Sequence, residues 1–135
     1  TNLGTGGMEN SKWAREILHE NRLWMNKERA RQLGLKNGDK VRVSSSSGSL
    51  TAQVLTTGRI HPDSVALAEG LGHTAIGKVA RAQKFRSKDS DTQLIWWGKK
   101  GKGVNPYAVI ELRKDPVGGG MASKDTVVQV QKVED

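Results

Sequence analysis

Three clusters of glycine residues are the part of this sequence best suited to binding chemistry. They lie at 4–7, 70–72 and 118–120, and side chains able to form hydrogen bonds lie near each cluster. Glycine lets a ligand approach the main chain closely, so backbone N–H groups can bind phosphate oxygens there. Glycine clusters also form ordinary turns. The residues alone leave both interpretations open.

The sequence lacks the residues that most catalytic or metal centres require. It has no cysteine, which excludes disulfides, thiolate metal sites, iron–sulfur clusters and a cysteine nucleophile within this segment. The three histidines, His19, His61 and His73, do not have the spacing of a zinc site. No set of nucleophile, base and orienting residue can be grouped either. We therefore predict no catalytic residue and no metal ligand here.

The net charge of +8 on 135 residues is concentrated in one segment. Residues 77–103 hold eight Lys or Arg against two Asp, together with Trp96 and Trp97. Basic residues can follow phosphates and tryptophans can stack on bases, so nucleic-acid binding is a minor alternative. Charged runs are more often simply solvated. We interpret 77–103 as a long basic surface excursion.

Length and composition favour a single domain with a lean aliphatic core. A chain of 135 residues matches the usual size of one domain, and only 35% of its residues are apolar. Its apolar runs are too short to span a membrane, so we expect no direct membrane insertion. The first residue is Thr1 rather than Met, and we expect the chain to be a fragment of a larger protein.

Local signals predict the main secondary structure. Asn26 can cap a helix, and Gly34 with Leu35 can close that helix in a Schellman motif. Residues 40–44 alternate as a strand, and 50–54 are expected to return after a serine-rich hairpin loop. Short strands, few helices and glycine-rich connections predict a small β-barrel. Further predictions are a helix starting at Asn10 or Ser11, strands at 64–68 and 126–133, and a short helix or strand at 108–112. Trp13 and Trp24 are expected to be core or helix-packing residues.

The stretch from Leu23 to Gly48 resembles a known module. It reads Leu23-Trp-Met-Asn26, then Leu33-Gly34-Leu35, Gly38-Asp39, Val41, Val43 and Gly48. It looks like the C-terminal molybdopterin-dinucleotide-binding domain of the dimethyl-sulfoxide-reductase family of molybdenum or tungsten enzymes. The N-terminal domain of Cdc48-like ATPases carries a similar segment. A protein-binding adaptor domain of that type is therefore the main alternative.

Three downstream blocks occur in the order of the molybdenum enzyme family. They are Gly70-x-Gly72-His73-Thr74-Ala75, Gly103-Val104-Asn105-Pro106 and Asp115-Pro116-x-Gly118-Gly119. They look most like the polysulfide, thiosulfate or tetrathionate reductase branch. The resemblance implies that 1–135 is one mainly β domain, a double-psi β-barrel with a few short helices.

The resemblance also implies a function. The domain would bind bis(molybdopterin guanine dinucleotide), with the molybdenum or tungsten ligated outside this segment, and would not be catalytic alone. The parent enzyme would reduce a sulfur compound or a similar oxyanion. Its other domains, an iron–sulfur electron-transfer subunit and a membrane anchor would be partners, and nucleic acid would not. The branch implies the extracytoplasmic, or periplasmic, side of a prokaryotic cytoplasmic membrane.

Site residues follow from the same resemblance. Asn105 is expected to be the main pterin contact, followed by His73 and Thr74, and Lys124 to lie near a phosphate. By their residue types alone, Asn105 can instead start a turn before Pro106, and His73 can be a structural histidine. The full set of expected cofactor contacts is Thr5, Gly6, Gly7, Gly72, His73, Thr74, Asn105 and Lys124.

Overall fold

A computed structural model describes residues 17–18, 20–72, 103–111, 113–121 and 126–133. These residues fall into two compact units. One unit draws on 1–22 and 67–105, and the other on 23–66 and 106–135. The helix predicted from Asn10 or Ser11 lies outside the described residues, except for its end, and so does the basic excursion apart from Gly103.

The second unit is built on a five-stranded sheet, so the prediction of a mainly β fold with a few short helices is confirmed. Its strands stand in the order β4-β1-β3-β2-β5. The β1–β3 pair is parallel, and the other pairs are antiparallel. The strands are β1 (Leu23–Asn26), β2 (Lys40–Ser44), β3 (Ser49–Thr57), β4 (Val65–Ala66) and β5 (Gln129–Lys132), with helix α1 (Lys27–Gln32) and a 3₁₀ helix (Pro106–Ala108).

Asn26 ends β1 and caps the start of α1, and the cap is as predicted. Its Oδ1 accepts hydrogen bonds from the backbone N–H of Glu28 at 2.9 Å and of Arg29 at 3.4 Å. These bonds satisfy two of the amide groups that a helix start leaves without a partner. The Nδ2 of the same side chain donates to the carbonyl of Ile60 at 2.9 Å. One residue therefore fixes both the helix and the loop that leads to β4.

The end of α1 is the predicted Schellman motif. The amide of Leu35 donates to the carbonyl of Ala30 at 2.8 Å, and the amide of Gly34 donates to that of Arg31 at 3.1 Å. Gly34 has φ +66°, in the left-handed region where a side chain is strained. Leu35 and Ala30 are both buried, so the motif also closes an apolar contact.

The β2–β3 hairpin is also present, but β3 is longer than predicted. Val41 pairs with Ala52 and Val43 with Leu50, and all four side chains are buried because alternate residues of a strand share one face. β3 continues to Thr57 because its second half pairs in parallel with β1. That partner strand is too distant in sequence for the local pattern to reveal the extension.

Two other predictions for this unit are wrong. Trp24 is 41% exposed rather than in the core, because Leu23 and Met25 occupy the inward positions of β1. The segment at 108–112 is not one helix or strand: the 3₁₀ helix begins earlier, at Pro106, and has ended by Val109. The strand predicted at 64–68 is present but shortened to Val65–Ala66.

The last strand closes one side of the sheet and carries a surface ion pair. β5 pairs with β2, and Val130 lies opposite Val43. The Nζ of Lys132 lies 3.1 Å from the Oδ2 of Asp39, and that same oxygen accepts the backbone N–H of Lys36 at 3.0 Å. The Lys36 amide first, and then Lys132, lower the pKa of Asp39 below its ordinary value.

Candidate functional site

The first unit brings two of the sequence blocks into direct backbone contact. Gly72 has φ +82°, and a Cβ built there would lie 2.7 Å from the Cα of Val104 and against the backbone nitrogen of Asn105. The two backbone segments can approach this closely only because residue 72 has no side chain. Gly72 and Asn105, both predicted to be site residues, are therefore neighbours.

Asn21 holds these two loops together. Its Nδ2 donates to the carbonyl of Ala68 at 2.7 Å and to that of Val104 at 2.8 Å, while its Oδ1 accepts the N–H of Val104 at 2.8 Å. The residue is 4% exposed, so these bonds are made away from water. A buried carboxamide whose groups are paired in this way is specific to one arrangement of its partners.

Gly103 and Leu71 complete the surroundings of the carboxamide. A Cβ at Gly103 would lie 2.7 Å from the Oδ1 of Asn21 and 3.0 Å from the Cβ of Leu71, so a side chain there would displace the clamp. Leu71 is 1% exposed and packs against the partly buried Leu18. The hydrogen-bonded loops are thus anchored on an apolar contact of the same unit.

Asn105 lies on the surface of this arrangement. The residue is exposed, and it directly follows Val104, which Asn21 binds on both its N–H and its C=O. A carboxamide offers two donor hydrogens and an acceptor oxygen. An exposed residue that carries a carboxamide suits a planar heterocycle whose edge alternates donors and acceptors. That donor set suits binding rather than bond breaking.

The other predicted contacts are untested by the structure. They lie outside the described residues and stay predictions: Thr5, Gly6, Gly7, His73, Thr74 and Lys124.

The glycine cluster at 118–120 belongs to a turn of the second unit. Asp115 accepts the N–H groups of Val117 at 3.1 Å and Gly118 at 2.9 Å, and these two bonds lower the pKa of its carboxyl group. An isolated bridge between Lys114 and Met121 closes the turn. Asp115 and its glycines therefore have a structural task in the turn.

None of the His, Asp and Glu side chains described here form a group of three or more that could hold a metal ion. No helix in the described part of the chain is long and apolar enough to cross a membrane.

Sequence reasoning missed Asn21. Its partners, Ala68 and Val104, are 47 and 83 residues away, so no local pattern identifies it. It stands between Glu20 and Arg22 in a polar stretch that looks like any exposed loop. A signal was available only on the partner side, where the Gly103-Val104-Asn105 block indicates a tightly packed backbone.

Comparisons with known proteins give a matching family model and two similar proteins. The family model described as "Molydopterin dinucleotide binding domain" matches residues 2–127. The molybdopterin-containing subunit ArrA of the arsenate respiratory reductase of Chrysiogenes arsenatis is 37% identical over 65 residues, which are 48% of this chain and 8% of that protein. The dimethyl sulfoxide reductase DmsA of Escherichia coli (strain K12) is 30% identical over 111 residues, which are 82% of this chain and 11% of that protein.

A solved structure supports the fold. The acetylene hydratase from Pelobacter acetylenicus matches with a TM-score of 0.65 and 13% identity, over 98% of this chain and 17% of that chain. This likeness confirms the barrel-type, mainly β fold that was predicted. The chain spans only about a tenth of the length of the curated relatives it matches. From the family model, which covers nearly all of the sequence, we conclude that the chain belongs to the molybdopterin dinucleotide binding domains of the dimethyl-sulfoxide-reductase family of molybdenum oxidoreductases.

Proposed function

We propose that the loops at 67–72 and 103–105 hold the pterin part of a bis(molybdopterin guanine dinucleotide) cofactor in a larger catalytic subunit. The observation that carries this proposal is the contact between Gly72 and the backbone of Asn105, fixed by the buried carboxamide of Asn21. It fixes the backbone that carries the exposed residue Asn105. A binding group must be held in this way if it is to select one ligand orientation.

In this proposal the chain binds and orients, and the cofactor does the chemistry. When bound, the group would supply a molybdenum or tungsten centre for electron or oxygen transfer, and its metal would be ligated outside this segment. Asn105 would bond to the edge of the heterocycle through its carboxamide. Gly72 would keep its loop packed against the backbone of Val104 and Asn105, and so hold Asn105 in position. Neither Gly72 nor Asn105 carries a titratable side chain, so their role would be binding rather than proton transfer.

We further propose that the parent enzyme reduces a sulfur compound or a similar oxyanion. Support comes from the names of two relatives, a dimethyl sulfoxide reductase and an arsenate respiratory reductase. An iron–sulfur electron-transfer subunit, a membrane anchor and a site of action outside the cytoplasm of a prokaryote belong to the same proposal. An adaptor function is less favoured, because the blocks at 103–106 and 115–119 have no role in it.

The experiment is to substitute Asn105→Ala in the full-length enzyme. Molybdenum or tungsten per protein is measured by elemental mass spectrometry, and guanine nucleotide released by acid hydrolysis is measured alongside it. Losing a hydrogen bond worth about 1 kcal/mol should weaken cofactor retention several-fold. The control is Gln53→Ala, which removes an exposed amide on β3 of the second unit. It should leave the metal content and the guanine nucleotide content unchanged. Full metal and nucleotide content in Asn105→Ala would contradict the proposal.

A further inference from the structure

The sheet of the second unit has two edges among the described residues. β4 pairs only with β1, and β5 pairs only with β2. The outer side of each strand therefore presents backbone N–H and C=O groups that no described strand pairs. Proteins normally cover or blunt such edges, because they readily accept another strand.

A groove of about 730 Å³ runs between these two edges. Its two walls are the segments that lead into the edge strands, 62–65 before and within β4 and 126–130 before and within β5. Met25 of β1 and Leu33 at the end of α1 line it as well. The groove is thus the open seam of a curled sheet rather than a hollow inside a closed core.

The seam exposes apolar residues that a closed barrel would cover. Met25 itself is only 1% exposed, whereas Leu33 is 40% and Val127 is 88% exposed. Val128 and Val130 face the seam and are half-buried. Covering such surface stabilises a fold by about 25 cal/mol for each Å² removed from water. The lining is mixed, because Arg29, Asp63 and Thr126 stand beside these apolar residues. A mixed groove between two unpaired edges is suited to an extended segment whose side chains alternate between polar and apolar.

We propose that the seam between β4 and β5 is occupied by an extended segment of the same polypeptide that lies outside these 135 residues. The inference rests on the proposed function, which makes this chain one domain of a larger catalytic subunit. The chain spans 8% and 11% of two such relatives, so most of a subunit of that kind lies outside it. A segment of the same polypeptide is present at a high effective concentration, which a separate peptide or a second copy is not.

The test places a photo-crosslinking residue, p-benzoylphenylalanine, at Val128 of the full-length enzyme. After irradiation and digestion, mass spectrometry identifies the linked peptide. One dominant peptide from the same polypeptide, outside the 135 residues, is expected. Val117, in the 115–120 turn and 95% exposed, is the control and should not link to that peptide. Mixed isotope-labelled and unlabelled protein distinguishes a link within one polypeptide from a link to a second copy.

Three results would overturn the inference: links only to peptides within 1–135, links to a second copy or another protein, or no link at all. If the probe at Val128 prevents folding, the same probe at Leu33 replaces it, because that residue is already partly exposed at the end of α1. Metal and guanine nucleotide are measured on each sample. If the protein retains its cofactor but the cross-link fails, only the proposal of a segment in the seam is rejected. If Asn105→Ala keeps full metal and nucleotide content, the proposed function is rejected.

Discussion

The side chain of Asn21 and the backbone of Val104 form two reciprocal hydrogen bonds, each 2.8 Å long. Val104 donates its N–H to the Oδ1, and the Nδ2 donates to the Val104 carbonyl. The third bond of the carboxamide, to Ala68, extends the pair to the loop that contains Gly72. Because residue 104 is held on both its polar groups, the position of Asn105 depends on residue 21.

Replacing Asn21 with leucine should destabilise the protein strongly. Asn21→Leu keeps the approximate size of the side chain but leaves three backbone groups without their partner, at a cost of about 2–4 kcal/mol. The melting temperature of the full-length protein and the hydrogen exchange of the Val104 amide measure the effect. Asn37→Leu is the matched control, because exposed Asn37 accepts one hydrogen bond, from the Thr56 N–H at 3.3 Å. Equal losses in the two variants would refute the clamp.

Alanine at Gly72 should cost much more than alanine at Gly119. Both glycines have a positive φ, +82° and +69°, so both substitutions carry a backbone strain of about 1–2 kcal/mol. Only at Gly72 would the new methyl group meet the backbone of Val104 and Asn105. We expect Gly72→Ala to lower thermal stability by at least twice as much as Gly119→Ala, and to lower metal content as well. Equal losses of thermal stability in the two variants would mean that the close approach of Gly72 to the Val104 and Asn105 backbone is unimportant.

Substitutions at Asn26 should separate its two roles. Asn26→Asp keeps the acceptor that caps α1 but loses the donor to Ile60, whereas Asn26→Ala loses both. The cap is worth about 1 kcal/mol and the neutral hydrogen bond a similar amount. The order of stability in denaturant unfolding should therefore be Asn, then Asp, then Ala. An aspartate variant as unstable as the alanine variant would show that the Ile60 bond dominates.

Asp39 should contribute to the loss of stability in acid. The backbone N–H of Lys36, and to a smaller extent Lys132, lower its pKa in the folded protein below the ordinary 3.8. Its contribution is therefore fully present above that pH and is lost as the pH falls through the lowered folded-state pKa. Asp39→Asn should flatten the stability–pH curve below about pH 4. Lys132→Gln should flatten the stability–pH curve less, because the hydrogen bond from the Lys36 amide remains. A stability–pH curve that Asp39→Asn leaves unchanged would contradict this account.

The parts of the fold that sequence predicts well are those whose causes lie within a few residues. Asn26 binds amides two and three positions away, and Gly34 with Leu35 closes on carbonyls three and five positions back. The β2–β3 hairpin needs only a short loop and alternating residues. Each of these signals is complete in the local sequence, and each was confirmed.

Features that depend on distant partners could not be derived in this way. Trp24 is outside because β1 pairs with β3 and β4 and directs Leu23 and Met25 inward, which no neighbour of Trp24 reveals. The role of Asn21 is equally hidden, because its partners Ala68 and Val104 are distant in sequence. The resemblance put Gly72 and Asn105 in one predicted site before any contact was known. That these two residues, or any other predicted site residue, contact the cofactor stays a prediction.

The parallel pairing of β1 with β3 has a consequence for synthesis. β1 leaves the ribosome first, but the residue opposite Asn26 is Thr57, at the far end of β3. About thirty residues separate them, which takes a few seconds at roughly 5–20 residues per second. During that interval Leu23 and Met25, later almost fully buried, have no strand to pack against. The nascent chain therefore carries these two apolar side chains without their partner strand until β3 has been synthesised.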